Sequence, residues 1–313
     1  MRIEHPAAGL WPSLALASVA ALWGATFLLT QMGMDGAGPF SIVALRFGAA
    51  ALILAALRPQ QIRRITFYEL KAGILLAAVA LVGYGAQAVA LQTAPSARVA
   101  FLAALYVPIV PVIGLVVWRR PVAAPVFIGA LLALGGIVAM SHGGAHLGLS
   151  ATDGLAALSA VSIAAEVFLL GLVMRRADPL RVSFVLVLAI ALMAGGVASL
   201  SGEAAPRWDG SLLTVVAIFG IGTAYSQTIM GWGQARISPE RASLLYATEP
   251  LWAGALGLAV GEALGTGDIV GGALIVMAVG ISAMRRLPAL PLPLRRSLRA
   301  NRQSLLETGN GAR

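Results

Sequence analysis

Long apolar runs alternate along this chain with short interruptions of Gly, Pro and charge. The runs lie near 12–31, 40–57, 72–92, 98–118, 122–140, 154–174, 182–200, 211–232, 241–261 and 267–284. Most approach the ~20 residues that carry a helix across ~30 Å of hydrocarbon. They are continuous, not alternating over ten-residue segments, so the pattern predicts helices and not the strands of a membrane barrel. Helices also satisfy their own backbone polar groups, which lipid cannot do. Connections between runs are short, and only the chain after Arg285 is long and polar enough to sit wholly in water. The expected fold is an all-α integral membrane protein with ten transmembrane helices. The first run has the length of a signal-peptide core. It continues past any small-residue cleavage site and is read as a retained helix.

The two halves of the pattern match at a fixed offset. Arg98 corresponds to Arg241, Gly114 to Gly257, Asp35 to Asp178, and Gly129-Ala130-Leu131 to Gly272-Ala273-Leu274. Each half holds five runs. Five is odd, so the second copy is expected to enter the membrane upside down. The expected units are 11–140 and 153–286, two inverted five-helix repeats, followed by a basic tail, 287–313. Inverted repeats of this kind are the plan of secondary transporters, whose sites lie near the midplane at the repeat interface.

Composition sharpens this picture. Hydrophobic residues make up 59% of the chain and charged residues 11%, against roughly 25% charged in soluble domains, so lipid must be part of the solvent. The absence of Cys excludes disulfides, thiolate nucleophiles and iron–sulfur sites. A net charge of +9 raises the question of nucleic acid, but its distribution answers it. With the N-terminus in the cytoplasm, all of the 22 basic residues except Arg46, Arg98 and Arg207 fall on the cytoplasmic side, as insertion rules require. Arg46 falls near the outer end of the second run. No nucleic-acid partner is expected. The tail (LRRSLRANR) reads as a topology anchor near anionic lipid, with a regulatory segment as the other reading.

Three segments carry a resemblance: WGATFLLTQMGMDGAGPFSIVALRF (23–47), SARVAFLAALYVPIVPVIGLVVWRRP (96–121) and GQARISPERASLLYATEPLWAGALGLAVGE (233–262). In order and spacing they resemble the ten-helix EamA branch of the drug/metabolite transporter superfamily. The resemblance implies a basket of two inverted repeats that exports or exchanges small metabolites, amino-acid-like or drug-like, across the inner membrane. It does not carry a substrate with it.

Two carboxylates at mid-span depth stand out. Glu249-Pro250 lies in the ninth run, where a charge at bilayer centre costs roughly 2.5–3.5 kcal/mol on insertion scales and so should face a cavity or a partner. The Glu-Pro pair is a family hallmark, so Glu249 has two readings, helix packing or cargo. Glu166, in VSIAAEVFLLGLV, stands where the resembling pattern usually has an apolar or aromatic residue, and corresponds by offset to Trp23. It is a candidate to bind an amine-bearing substrate or to carry a coupling proton; the plainer reading is a protonated Glu bonded to a neighbouring helix. Trp23, Thr26, Tyr84, Gln87, Tyr106, Tyr225, Gln227 and Tyr246 lie at similar depth, and aromatic bodies with polar tips suit a pocket for small amphipathic molecules. Arg98 and Arg241 are candidates for gate residues or for snorkelling to headgroups. Ser96 and Ser238 are expected to cap the fourth and ninth runs, and Gly257/Gly261 to form a helix-packing GxxxG. His142 and His146 are a weak metal pair, and no metal or cofactor is expected. No catalytic fingerprint is present. The alternative function is an integral-membrane enzyme acting on a lipid-soluble substrate, for which two isolated Glu are a poor basis.

Overall fold

The computed structural model describes residues 10–118, 124–141, 150–237 and 239–282; His142, His146, Ser238 and the basic tail lie outside them. The described residues contain thirteen helices and no strand. In order they are α1 (Leu10–Gly33), α2 (Pro39–Leu57), α3 (Pro59–Ile62), α4 (Phe67–Ala90), α5 (Ser96–Ala103), α6 (Tyr106–Trp118), α7 (Ala124–Ser141), α8 (Ala151–Val173), α9 (Pro179–Leu200), α10 (Gly210–Gln234), α11 (Pro239–Tyr246), α12 (Glu249–Ala259) and α13 (Thr266–Ser282). Seven segments are long and apolar enough to cross a bilayer: Trp11–Gly33, Pro39–Leu57, Phe67–Ala90, Ser96–Val117, Ala151–Val173, Pro179–Leu200 and Gly210–Gln234. Large apolar side chains such as Val116, Leu192 and Ile221 point outward, as a lipid-facing surface requires.

The fourth and ninth runs are each split in two. α5 ends at Ala103 and α6 begins at Tyr106; α11 ends at Tyr246 and α12 begins at Glu249. In the ninth run Pro250 falls in the first turn of α12, where its missing N–H has no intrahelical partner to lose.

Helix starts are fixed by local chemistry. Thr66 with Glu69 and Ser150 with Asp153 form reciprocal capping boxes for α4 and α8. Asp178 and Asp209 cap α9 and α10. Two further starts are capped from across the molecule by the same device. α9 and α12 each end in a Gly with positive φ, Gly202 at 70° and Gly261 at 84°. Glu203 N–H then returns to Ala198 O at 3.0 Å and Glu262 N–H to Gly257 O at 2.9 Å, closing Schellman motifs. The turn aims the next side chain at another helix. Glu203 accepts from Phe40 and Ser41 N–H at the start of α2, and Glu262 from Ser96 and Ala97 N–H at the start of α5. Gly261 therefore makes a turn and not the expected GxxxG contact. Ser96 is not a cap either: it is the first residue of α5, whose N-cap is Pro95.

Ionic contacts tie the helix ends together at two opposite ends of the bundle. At one, Arg98 of α5 reaches Asp153 of α8 at 3.0 Å and Asp268 of α13 at 3.6 Å. At the other, Arg181 of α9 lies 3.6 Å from Glu69 of α4 and donates to Arg64 O. The main core lies between them, built from side chains such as Leu16, Phe47, Leu76, Tyr106, Leu170, Leu186 and Tyr246.

Candidate functional site

Helix breaks and depth bring most of the predicted residues together. Tyr106, at the first position of α6, is fully buried, and its Oη donates to Glu249 Oε2 at 3.2 Å. Gln227 Nε2 of α10 donates to Tyr84 Oη of α4 at 3.5 Å. In both pairs the partners are 143 residues apart, the offset at which Arg98 matches Arg241 and Gly114 matches Gly257 in the sequence. The Trp23 ring of α1 packs on that of Tyr246 at 5.1 Å between centroids, and Tyr246 Oη accepts from Gln234 Nε2 at 3.2 Å.

Glu166 is 0% exposed, and neither carboxylate oxygen has a hydrogen-bond partner. Gln227 is the polar side chain beside it, but no bond of normal geometry joins them. Trp23 Nε1, Gln227 Oε1 and Gln234 Oε1 are likewise buried without a partner. Most buried polar atoms in proteins are hydrogen-bonded. Glu166, Gln227 and Gln234 contribute acceptors and Trp23 a donor, so α1, α8 and α10 each carry a buried polar group that no described residue satisfies.

Two predicted residues stand apart from this cluster. Tyr225 is 42% exposed, and its hydroxyl shares a hydrogen bond with Ser18 on the outer α1–α10 seam. It is two residues from Gln227, about 200° around the helix, and cannot share its face. Thr26 spends its hydroxyl on Trp23 O within α1. Gln87 is buried and lines a cavity of about 10 Å³, the space of one water. Trp252 is half exposed on α12. An open cleft of about 620 Å³ lies at the Arg181 end of the bundle, flanked by Arg175, Arg236 and Trp232. Arg98 is partly exposed and ion-paired; the Arg241 side chain is outside the described residues.

Sequence reasoning passed over three buried residues: Gln234, Thr223 and Arg46. By sequence Arg46 falls near the outer end of the second run. It is only 5% exposed, donates from Nε to Thr223 Oγ1 at 2.8 Å, and lies over the rings of Phe47, Tyr84 and Phe219 at 5.2, 5.4 and 4.9 Å. The signal that was available is the presence of a charge inside an apolar run, which by default marks function.

Comparison with known proteins adds three findings. A family model described as the EamA-like transporter family matches the chain twice, over residues 10–142 and 151–284. A curated protein from Archaeoglobus fulgidus, described as an uncharacterized transporter, is 24% identical over 277 residues, 88% of this chain and 87% of the relative. A solved crystal structure with 20% sequence identity superposes with a TM-score of 0.67 over 87% of this chain and 96% of the other, a likeness of fold alone.

Proposed function

The chain belongs to the EamA-like transporter family, and from that premise we propose that it is a secondary transporter that exports or exchanges small metabolites across the inner membrane by alternating access. It crosses the membrane ten times as two inverted five-helix repeats, 11–140 and 153–286, with both termini in the cytoplasm. The repeats rock about a central site formed by Glu166, Glu249, Trp23, Tyr84, Gln87, Tyr106, Gln227 and Tyr246. The observation that carries this reading is the unsatisfied cluster around Glu166, deep among apolar helices and on no helix end. The two contacts between residues 143 apart support the repeat reading. A residue that touches its symmetry mate must lie on the axis that relates the repeats, and transporter sites of this plan form there.

Glu166 takes an amine-bearing substrate or the coupling proton, while Glu249, held by Tyr106, positions the broken helices around it. Arg98, bridging α5 to α8 and α13, acts as a gate at its end of the pathway. The test is uptake of a metabolite panel into proteoliposomes at two pH values, with Glu166→Gln in parallel. Protein-dependent uptake that is lost in the variant is the expected result. A variant with unchanged rate and pH profile would remove Glu166 from the site, and no uptake of any solute would remove the transport reading.

A further inference from the structure

We propose that Arg46 is the anion-recognition residue of the central site and that the transported substrate carries a carboxylate group which it binds. This rests on the transport reading above and goes beyond it by assigning a substrate class.

The guanidinium has five N–H donors in a fixed planar fork. One, on Nε, is spent on Thr223 Oγ1. The Nη1 and Nη2 donors form no hydrogen bond to any described residue. No described carboxylate lies within ion-pair distance of them. Glu166 and Glu249 form no ion pair with it. The rings of Phe47, Tyr84 and Phe219 hold the cation by their faces. A ring face attracts charge and fixes position; it does not take up the in-plane N–H groups.

The surroundings say where those donors lead. Arg46 lines the same small cavity as Tyr84, Gln87 and Thr30. Tyr84 also bonds Gln227, the neighbour of Glu166, so the cavity adjoins the unsatisfied cluster. Lipid cannot reach a side chain this buried, which excludes a headgroup as the partner. The planar fork of the guanidinium matches the two coplanar oxygens of a carboxylate.

Thermal unfolding of the purified full-length protein in detergent tests this with matched probes: benzoate, benzamide and benzylamine, and propionate, propionamide and propylamine, with chloride and inorganic phosphate at equal ionic strength. The carboxylates should stabilise the wild type more than their amides and more than either inorganic anion. In Arg46→Gln the half-saturating carboxylate concentration should rise about tenfold or more, the loss of one charge-assisted pair, with benzylamine unchanged. Arg46→Lys keeps the charge and loses the fork, so it should show the same loss if Arg46→Gln does not fold. Equal stabilisation by acid and amide, or by chloride, overturns the assignment, as does carboxylate binding unchanged in either folded variant. Proteoliposome uptake of other solutes would meanwhile leave the transport reading standing; carboxylate binding without uptake of any solute would overturn that reading and not this one.

Discussion

In Glu166→Gln the charge goes and the shape stays. Because neither oxygen has a partner, the variant breaks no hydrogen bond of the folded chain. It should unfold at the same temperature as the wild type or above it, while uptake falls by about an order of magnitude or more, as for loss of a buried functional charge. A lower unfolding temperature with normal uptake would make Glu166 a packing residue. Tyr106→Phe is the opposite case. It removes the donor to Glu249 and leaves a buried acceptor unpaired, a cost of about 1–3 kcal/mol that a lowered unfolding temperature would register. Tyr84→Phe should cost less, because its bond to Gln227 is long at 3.5 Å. The Tyr106–Glu249 pairing was legible in outline, since the repeat offset made them counterparts. Tyr225 was misplaced because it stands in an unbroken polar run with Ser226, Gln227 and Thr228, and depth in a helix does not say which face meets a neighbour. Arg46 was missed for a related reason: the sequence gives its depth, but Phe47, Tyr84 and Phe219 surround it from three different helices.

At the scale of elements, the two Gly-Glu clasps join helices that are far apart in sequence. Each depends on a left-handed glycine, Gly202 or Gly261. Gly202→Ala and Gly261→Ala should each destabilise by about 1–2 kcal/mol, the cost of that backbone conformation for an L side chain. A further loss is expected as the carboxylate moves off its helix start. Combined with Glu203→Ala, Gly202→Ala should therefore cost less than the sum of the two changes; strict additivity in thermal unfolding would show that turn and cap act independently. The breaks in the fourth and ninth runs are partly visible in sequence, through Pro108, Pro111 and Pro250. Their placement at matching positions follows from packing, which puts Tyr106 and Glu249 each at the first residue of a new helix.

Across the whole molecule, the absence of Cys makes topology directly testable. Ser201 and Gln60 are both exposed, at the α9 end and the α2–α4 connection. In intact cells, Ser201→Cys should react with an impermeant maleimide, and Gln60→Cys only after permeabilisation. The reverse pattern would invert the orientation, and labelling of both from outside would break the ten-span reading. In an Ala151→Cys background, at an exposed position at the start of α8, Arg98→Ala should raise labelling if the ionic cluster holds that end shut, and leave it unchanged if the cluster is only a brace.

The sequence by itself determined the solvent, the helical class and the doubling of the chain. These depend on the length, composition and order of apolar runs, which hydrocarbon thickness and backbone hydrogen bonding constrain directly. It also located two buried carboxylates by depth. Only the tertiary structure decided that Glu166 stands unsatisfied while Glu249 is held, and that Arg46 lines one cavity with Tyr84 and Gln87. In lipid, inward and outward faces of a helix are both apolar, so helical periodicity carries little record of which way a side chain turns. That choice is made by close packing between helices.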